Sequence, residues 1–183
     1  MDVAIRSAAE GDLEAIHEIL TSPHVVAGSM RVPYAPLSQT RERLAPTRGI
    51  YQLVAESQGR VVGFGELITH PDEPRHRHVG EVNMVATHAD WTGKGVGRAL
   101  LEAMIDLADN WLNLARLGLF VFTDNTHAVR LYERLGFVIE GTMPRMGFGA
   151  GGWMDAYLMG RLRDRPPTGQ PLGPGPESAT RSA

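Results

Sequence analysis

Cysteine is absent from all 183 residues, which excludes a disulfide framework, a thiolate zinc site and a cysteine nucleophile. There is no large excess of charge of either sign: the net charge of −3 and a pI near 6.2 favour neither a nucleic-acid groove nor a polybasic membrane contact. No uninterrupted apolar stretch is long enough to cross a bilayer, and "MDVAIRSAAEGDLEAI" lacks the basic flank and apolar run of a secretory signal. Small molecules are therefore the expected partners, with no nucleic acid and no membrane, and the cytoplasm is the expected location.

What is present suits one ordinary domain, since 183 residues at 43% hydrophobic content can bury a single core. No internal repeat is visible. From Asp164 the composition turns to Pro, Gly, Ser and Thr with few apolar residues, too little burial to offset the entropy of ordering. The reading is a domain over 1–163 and a flexible tail over 164–183.

Along the chain, "VAIR" is a strand candidate, and "GDLEAIHEIL" places Leu13, Ile16 and Leu20 at helical spacing behind Asp12 as N-cap. "VAGSMRVPYAPLS" suits an ordered loop and a candidate substrate wall, and "SQTRERLA" begins like a short capped helix. The two β-rich runs of "YQLVAESQGRVVGFGELITH" predict an antiparallel hairpin, "HPDEPRHRH" interrupts, and "VGEVNMVAT" is a third strand that leads through "HADW" into a glycine turn. After that turn Val96, Leu100, Met104, Leu107 and Trp111 recur three or four apart, the mark of an amphipathic helix on a sheet. "LGLFVFT" reads as a buried strand, "NTHAVRLYERLG" as a helix ended by Gly136, and "FVIEGT" and "MDAYLMGRL" as two more strands, which makes the sheet mixed.

The turn "WTGKGVGRAL" invites a phosphate. A nucleotide P-loop needs Ser or Thr after its Lys, but Gly95 follows Lys94. A dinucleotide fingerprint laid on Gly93 and Gly95 would put its third glycine at Arg98. What remains is a compact turn at the head of a long helix, suited to a pyrophosphate held by backbone N–H groups and the helix dipole, as coenzyme A would present. Tight packing alone also produces such turns. The next helix adds a second feature: "DNTHAVRLYERLGF" puts Asn125, Val129 and Tyr132 on one face.

Together "TGKGVGRALL" and "NTHAVRLYERLGF", in this order and separation, resemble the GNAT family of N-acetyltransferases over roughly residues 2 to 163. "LADNWL", "VFTDN", "IEGTM" and "DAYLMGRL" look like the bacterial branch that acetylates the α-amine of free amino acids and aminoacyl compounds. The resemblance implies an α/β (α+β) fold with a central mixed, mostly antiparallel sheet of about seven strands flanked by about four helices. It implies acetyl-CoA as co-substrate, no metal, direct attack by a primary amine in a ternary complex, and a homodimer. Where the family has Gln or Arg ahead of its glycine turn, this chain has Thr92; main-chain N–H groups still carry most of the pyrophosphate grip.

By the same resemblance Val85, Ala86 and Thr87 flank the pantetheine arm, with a backbone N–H near Val85 facing the thioester carbonyl. Thr92, Gly93, Lys94, Gly95, Val96, Gly97 and Arg98 form the pyrophosphate site, Lys94 and Arg98 adding positive charge. Asn125 hydrogen-bonds the pantetheine beside Ala128 and Tyr132; as an asparagine ahead of a helix it equally suits an N-cap. Glu81 matches the general base and Tyr132 the general acid, the plain alternatives being a solvated strand-start charge and a packed aromatic. Arg31 and Tyr34 are candidates to grip an acceptor carboxylate near Glu81, since a guanidinium fork does this well; an exposed loop arginine is the alternative. "RMGFGAGGWMD" is either an opposite wall or a hairpin turn. His70, His76 and His78 lack helix-borne metal spacing and read as a solvated loop. Two other functions share these motifs: a non-catalytic acyl-CoA-binding module, and an acetyltransferase of protein N-termini.

Overall fold

The computed structural model describes residues 2–163, so the tail expected over 164–183 lies outside the described residues. Seven strands form one sheet in the order β1-β2-β3-β4-β5-β7-β6: β1 Ala4–Ser7, β2 Ile50–Ser57, β3 Arg60–Thr69, β4 Val79–Thr87, β5 Arg116–Phe122, β6 Val138–Gly149 and β7 Gly152–Leu162. Every neighbouring pair is antiparallel except β4 with β5, so the mixed, mostly antiparallel expectation holds. Five helices accompany it: α1 Leu13–Thr21, α2 Pro23–Ala27, α3 Leu37–Leu44, α4 Val96–Asp106 and α5 Thr126–Arg134. The short α2 runs into the first two residues of the expected loop, with Pro23 at its first position, where the missing N–H costs nothing. Among the described residues no helix is long and apolar enough to cross a membrane.

Strand alternation divides the core between the two faces of the sheet. On one face Val54, Phe64 and Ala86 pack with Ile16, Ile19, Leu20 and Val25 of α1 and α2. On the other, Ala55 and Val62 meet Val96 and Leu100 of α4, while Leu101 and Met104 join Val129 and Phe137. Each fully buried Val, Leu, Ile, Phe or Met among these contributes roughly 1.5–3 kcal/mol, so α4 is held to the sheet by Val96, Leu100, Leu101 and Met104.

Three local expectations need correction. Asp12 does not cap α1 with its side chain; its carboxylate instead accepts from the Ala9 N–H and from both terminal nitrogens of Arg6. No side chain caps α3 either, which starts at Leu37 behind Pro36. Trp111, expected on the buried stripe of α4, is 77% exposed. Residues Leu107–Trp111 form a π turn, with the Leu112 N–H bonded to the Leu107 carbonyl, and the wider turn rotates the following side chains off the sheet-facing line.

Candidate active site

A cavity of about 920 Å³ opens where β4 and β5 part company. Their parallel pairing covers only Val79 with Arg116, Gly80 with Leu117 and Glu81 with Gly118. Beyond Glu81, β4 stays on β3 and β5 stays on β7, so the two strands splay into a wedge. A register shift on β4 opposite Glu66 and Leu67 leaves Asn83 as the extra residue at that point, and such bulges bend a strand and re-aim its side chains. Val85, Ala86 and Thr87 line the wedge on β4, with Leu119, Phe120 and Val121 on β5. His24 of α2, which sequence reasoning missed, donates from Nε2 to the Thr87 carbonyl at 2.9 Å and ties α2 to this wall.

The head of α4 forms one end. Gly93 and Gly95 sit at φ +77° and +85°, the left-handed region that favours glycine. The Ala99 N–H bonds the Gly95 carbonyl, so the amides of Val96, Gly97 and Arg98 precede the helical ladder and have no partner within it. Thr92, Gly93, Gly95, Val96, Gly97 and Arg98 all line the cavity. Lys94 does not: its N–H bonds the Trp91 carbonyl at 3.3 Å and its ammonium lies 5.3 Å from the Trp91 ring centre. Arg98 is held by Glu102 at 2.8 Å.

From α5, Asn125, Ala128, Leu131 and Tyr132 line the wedge, whereas Val129, expected on that face, is buried in the core. Asn125 does cap the helix, its side-chain oxygen accepting from the Ala128 N–H at 3.2 Å. Tyr132 packs edge-on against Phe137, ring centres 5.9 Å apart, and burial pushes its phenol up to about 12. The hydroxyl therefore remains protonated at neutral pH.

The other end gathers charged groups. Glu81 lines the cavity half-exposed, with His70 Nε2 3.6 Å from its carboxylate. His70 is half-buried rather than freely solvated; its ring stacks on His76 at 4.4 Å, with Glu73 within 3.7 Å of both. Arg31 lines the cavity, half-buried, but Tyr34 does not: it is fully exposed, at φ +63°. In its place stands a group the sequence reading did not find. Glu66 of β3 is buried, and it accepts from Arg43 at 2.6 Å, Asn83 at 2.5 Å and Gln52 at 2.9 Å. Its one sequence signal was a lone acid inside the apolar run "VVGFGELI". "RMGFGAGGWMD" resolves as the hairpin between β6 and β7, turning at Ala150 and Gly151, with Met146 reaching the cavity wall.

Comparison with known proteins places these features in context. The model of the acetyltransferase (GNAT) family matches residues 13–137. The chain is 38% identical over 162 residues to the L-amino acid N-acetyltransferase AaaT of Escherichia coli K12, covering 88% of this chain and 99% of that protein. It is 27% identical over 169 residues to the spermidine N(1)-acetyltransferase of Vibrio cholerae, covering 89% and 94%. Among solved structures, yncA of Salmonella typhimurium with acetyl-CoA superposes with a TM-score of 0.75 at 27% identity, covering 94% of this chain and all of that one.

Proposed function

Because the chain belongs to the GNAT acetyltransferase family, we propose that it transfers the acetyl group of acetyl-CoA to the α-amine of a free amino acid or aminoacyl compound, by direct attack in a ternary complex. The observation that carries this reading is the single wedge that holds the α4 amides at one end and Glu81 at the other, with Tyr132 along its wall. The family's co-substrate fits these residues. The α4 amides and helix dipole suit a diphosphate, and the Asn125 wall beside β4 suits an extended arm.

Acetyl-CoA supplies the activated thioester; the chain supplies position and proton control. A backbone N–H near Val85 stabilises negative charge on the carbonyl oxygen during attack, at no cost in reorganisation. Glu81 accepts the proton released by the amine. Tyr132, a phenol that keeps its proton at neutral pH, donates that proton to the departing thiolate and is reprotonated from solvent afterwards. The acceptor sets the demand on Glu81: an aminoacyl α-amine of pKa about 7.7–8.0 is partly neutral near pH 7.5 and a lysine-like amine near 10.4 only about once in a thousand, with a free amino acid, whose own carboxylate raises its amine, lying between them.

The test is thiol release from acetyl-CoA against a panel of free amino acids, aminoacyl amides, polyamines and peptides. Release with amino acids is expected; release with peptides alone would select an N-terminal acetyltransferase, and coenzyme binding with no release at all a non-catalytic module.

A further inference from the structure

We propose that Arg31 and Arg43 together form a carboxylate subsite at the acceptor end of the wedge, so that the acceptor is a zwitterion and not a polycation. This deepens the reading above and rests on it. Both residues line the cavity, and both have a buried Nε with no hydrogen-bond partner among the described residues. Buried donors are normally satisfied, and an orphaned one on a charged group is costly. The Nε atoms themselves are buried, and what the cavity presents to an anion is the pair of positively charged guanidinium groups on its wall.

The neighbouring acid cannot serve as that anion. Glu66 Oε1 already accepts from Arg43 and Asn83, and Oε2 from Gln52, so its carboxylate is committed to holding Arg43. Arg31 makes no ion pair among the described residues. Burial first, and then repulsion from Arg43, holds the Arg31 guanidinium below the usual arginine range, against an opposing pull from Glu66. An arginine does not give up its proton in a protein, so this unfavourable setting is relieved by an incoming negative charge.

Two cations, Arg31 and Arg43, thus stand against the committed Glu66, while Glu81 lines the same cavity and faces the amine. The set complements a molecule that is negative at one end and positive at the other. A polyamine would bring positive charge against the guanidinium pair. The exposed apolar side chains of Met30, Val32, Phe120 and Met146 on the cavity wall suit an uncharged acceptor side chain.

Matched acceptors test this. L-leucine, L-methionine and L-phenylalanine, each beside its amide, together with spermidine, are assayed by thiol release from acetyl-CoA with wild type, Arg31→Gln and Arg43→Lys. The lysine variant keeps a cation for Glu66 but loses the fork, and thermal melting checks that each variant folds. With rates referred to the neutral-amine concentration, because the amide's amine is less basic than the acid's, wild type should favour each acid over its amide by about tenfold or more in kcat/KM, the scale of a charge-assisted hydrogen bond. Both variants should lose that preference through a raised KM for the acids, with kcat and the amide kinetics little changed. Equal use of acids, amides and spermidine by wild type, or an equal loss for acids and amides in the variants, overturns the subsite while leaving acetyl transfer intact. If no amine is acetylated, calorimetric titration of the three acids into the coenzyme A-saturated protein decides separately. Binding that Arg31→Gln abolishes sustains the subsite although the catalytic reading falls, and no binding overturns both.

Discussion

Replacing Gly63 with alanine perturbs the site from the sheet surface beneath α4. Gly63 on β3 lies beneath the first turn of α4, where an added Cβ would stand 2.6 Å from Val96 Cγ1, 3.0 Å from Leu100 Cδ1 and 3.2 Å from the Ala86 carbonyl oxygen. Carbon atoms in contact sit about 3.5–4.0 Å apart, so Val96 must retreat by about 1 Å. Val96 is 1% exposed and stiff at χ1, so the retreat moves the helix head, not one rotamer. Overpacking of this kind costs about 1–3 kcal/mol, less about 0.5–1 kcal/mol that alanine returns over glycine in a strand. The net loss is about 0–2.5 kcal/mol of stability. A shift of about 1 Å also carries the helix-head amides from about 2.9 Å to beyond hydrogen-bonding range of a phosphate oxygen. Losing one charge-assisted bond then weakens coenzyme A binding about 10- to 100-fold. Urea unfolding and calorimetry on wild type, Gly63→Ala, Val96→Ala and the double variant measure both effects. Val96→Ala removes the clashing methyl, so the double variant should bind within a few-fold of Val96→Ala alone. Gly63→Ala binding coenzyme A like wild type, or no recovery in the double variant, would refute the seating of α4 as the determinant of the anion site.

Tyr132→Phe should lower kcat far more than it weakens acetyl-CoA binding, and the wild-type-minus-variant ultraviolet titration should contain one phenol ionising near 12; equal turnover removes the acid role. Glu66→Leu strips Arg43, Gln52 and Asn83 of their shared acceptor and should cost about 3 kcal/mol in urea unfolding, as the loss of one partner from a buried pair does. The Arg6 guanidinium holds the Asp12 carboxyl below its usual range, burial opposing and the Ala9 N–H assisting. Asp12 therefore adds stability that is present above about pH 4 and is lost as the pH falls through its lowered native value. Asp12→Asn should be less stable at neutral pH and lose less on acidification; a parallel acid profile for both proteins contradicts this.

Much of the fold was readable from local pattern. The β2–β3 hairpin, the stripe of α4 through Met104 and the helix after Asn125 all follow from apolar period and turn chemistry, which act within a few residues. The failures involve geometry that period does not encode. Trp111 follows the stripe in sequence but leaves it where the Leu112 amide bonds one residue further back. Strand β6 continues past the expected Thr142 to Gly149 through "MPRMGFG", a stretch with little β propensity, held by its pairing with β7 and irregular between Met143 and Gly147. At the site, the cavity wall from Val85 to Arg98 was readable because its residues are nearly contiguous on β4, the turn and α4. The acceptor end was not: Arg43 meets Glu66 across 23 residues and Asn83 meets it across 17. Tyr34 looked like a partner for Arg31 three residues away, yet the backbone there turns through a positive φ and carries it into solvent.

The most direct measurement is diffraction from crystals of the full chain grown with coenzyme A. The diphosphate should lie within hydrogen-bonding distance of the Val96 and Gly97 amides, with the pantetheine running between β4 and α5 toward Glu81. Coenzyme density outside the wedge, or a helix head that touches no phosphate oxygen, would contradict the account.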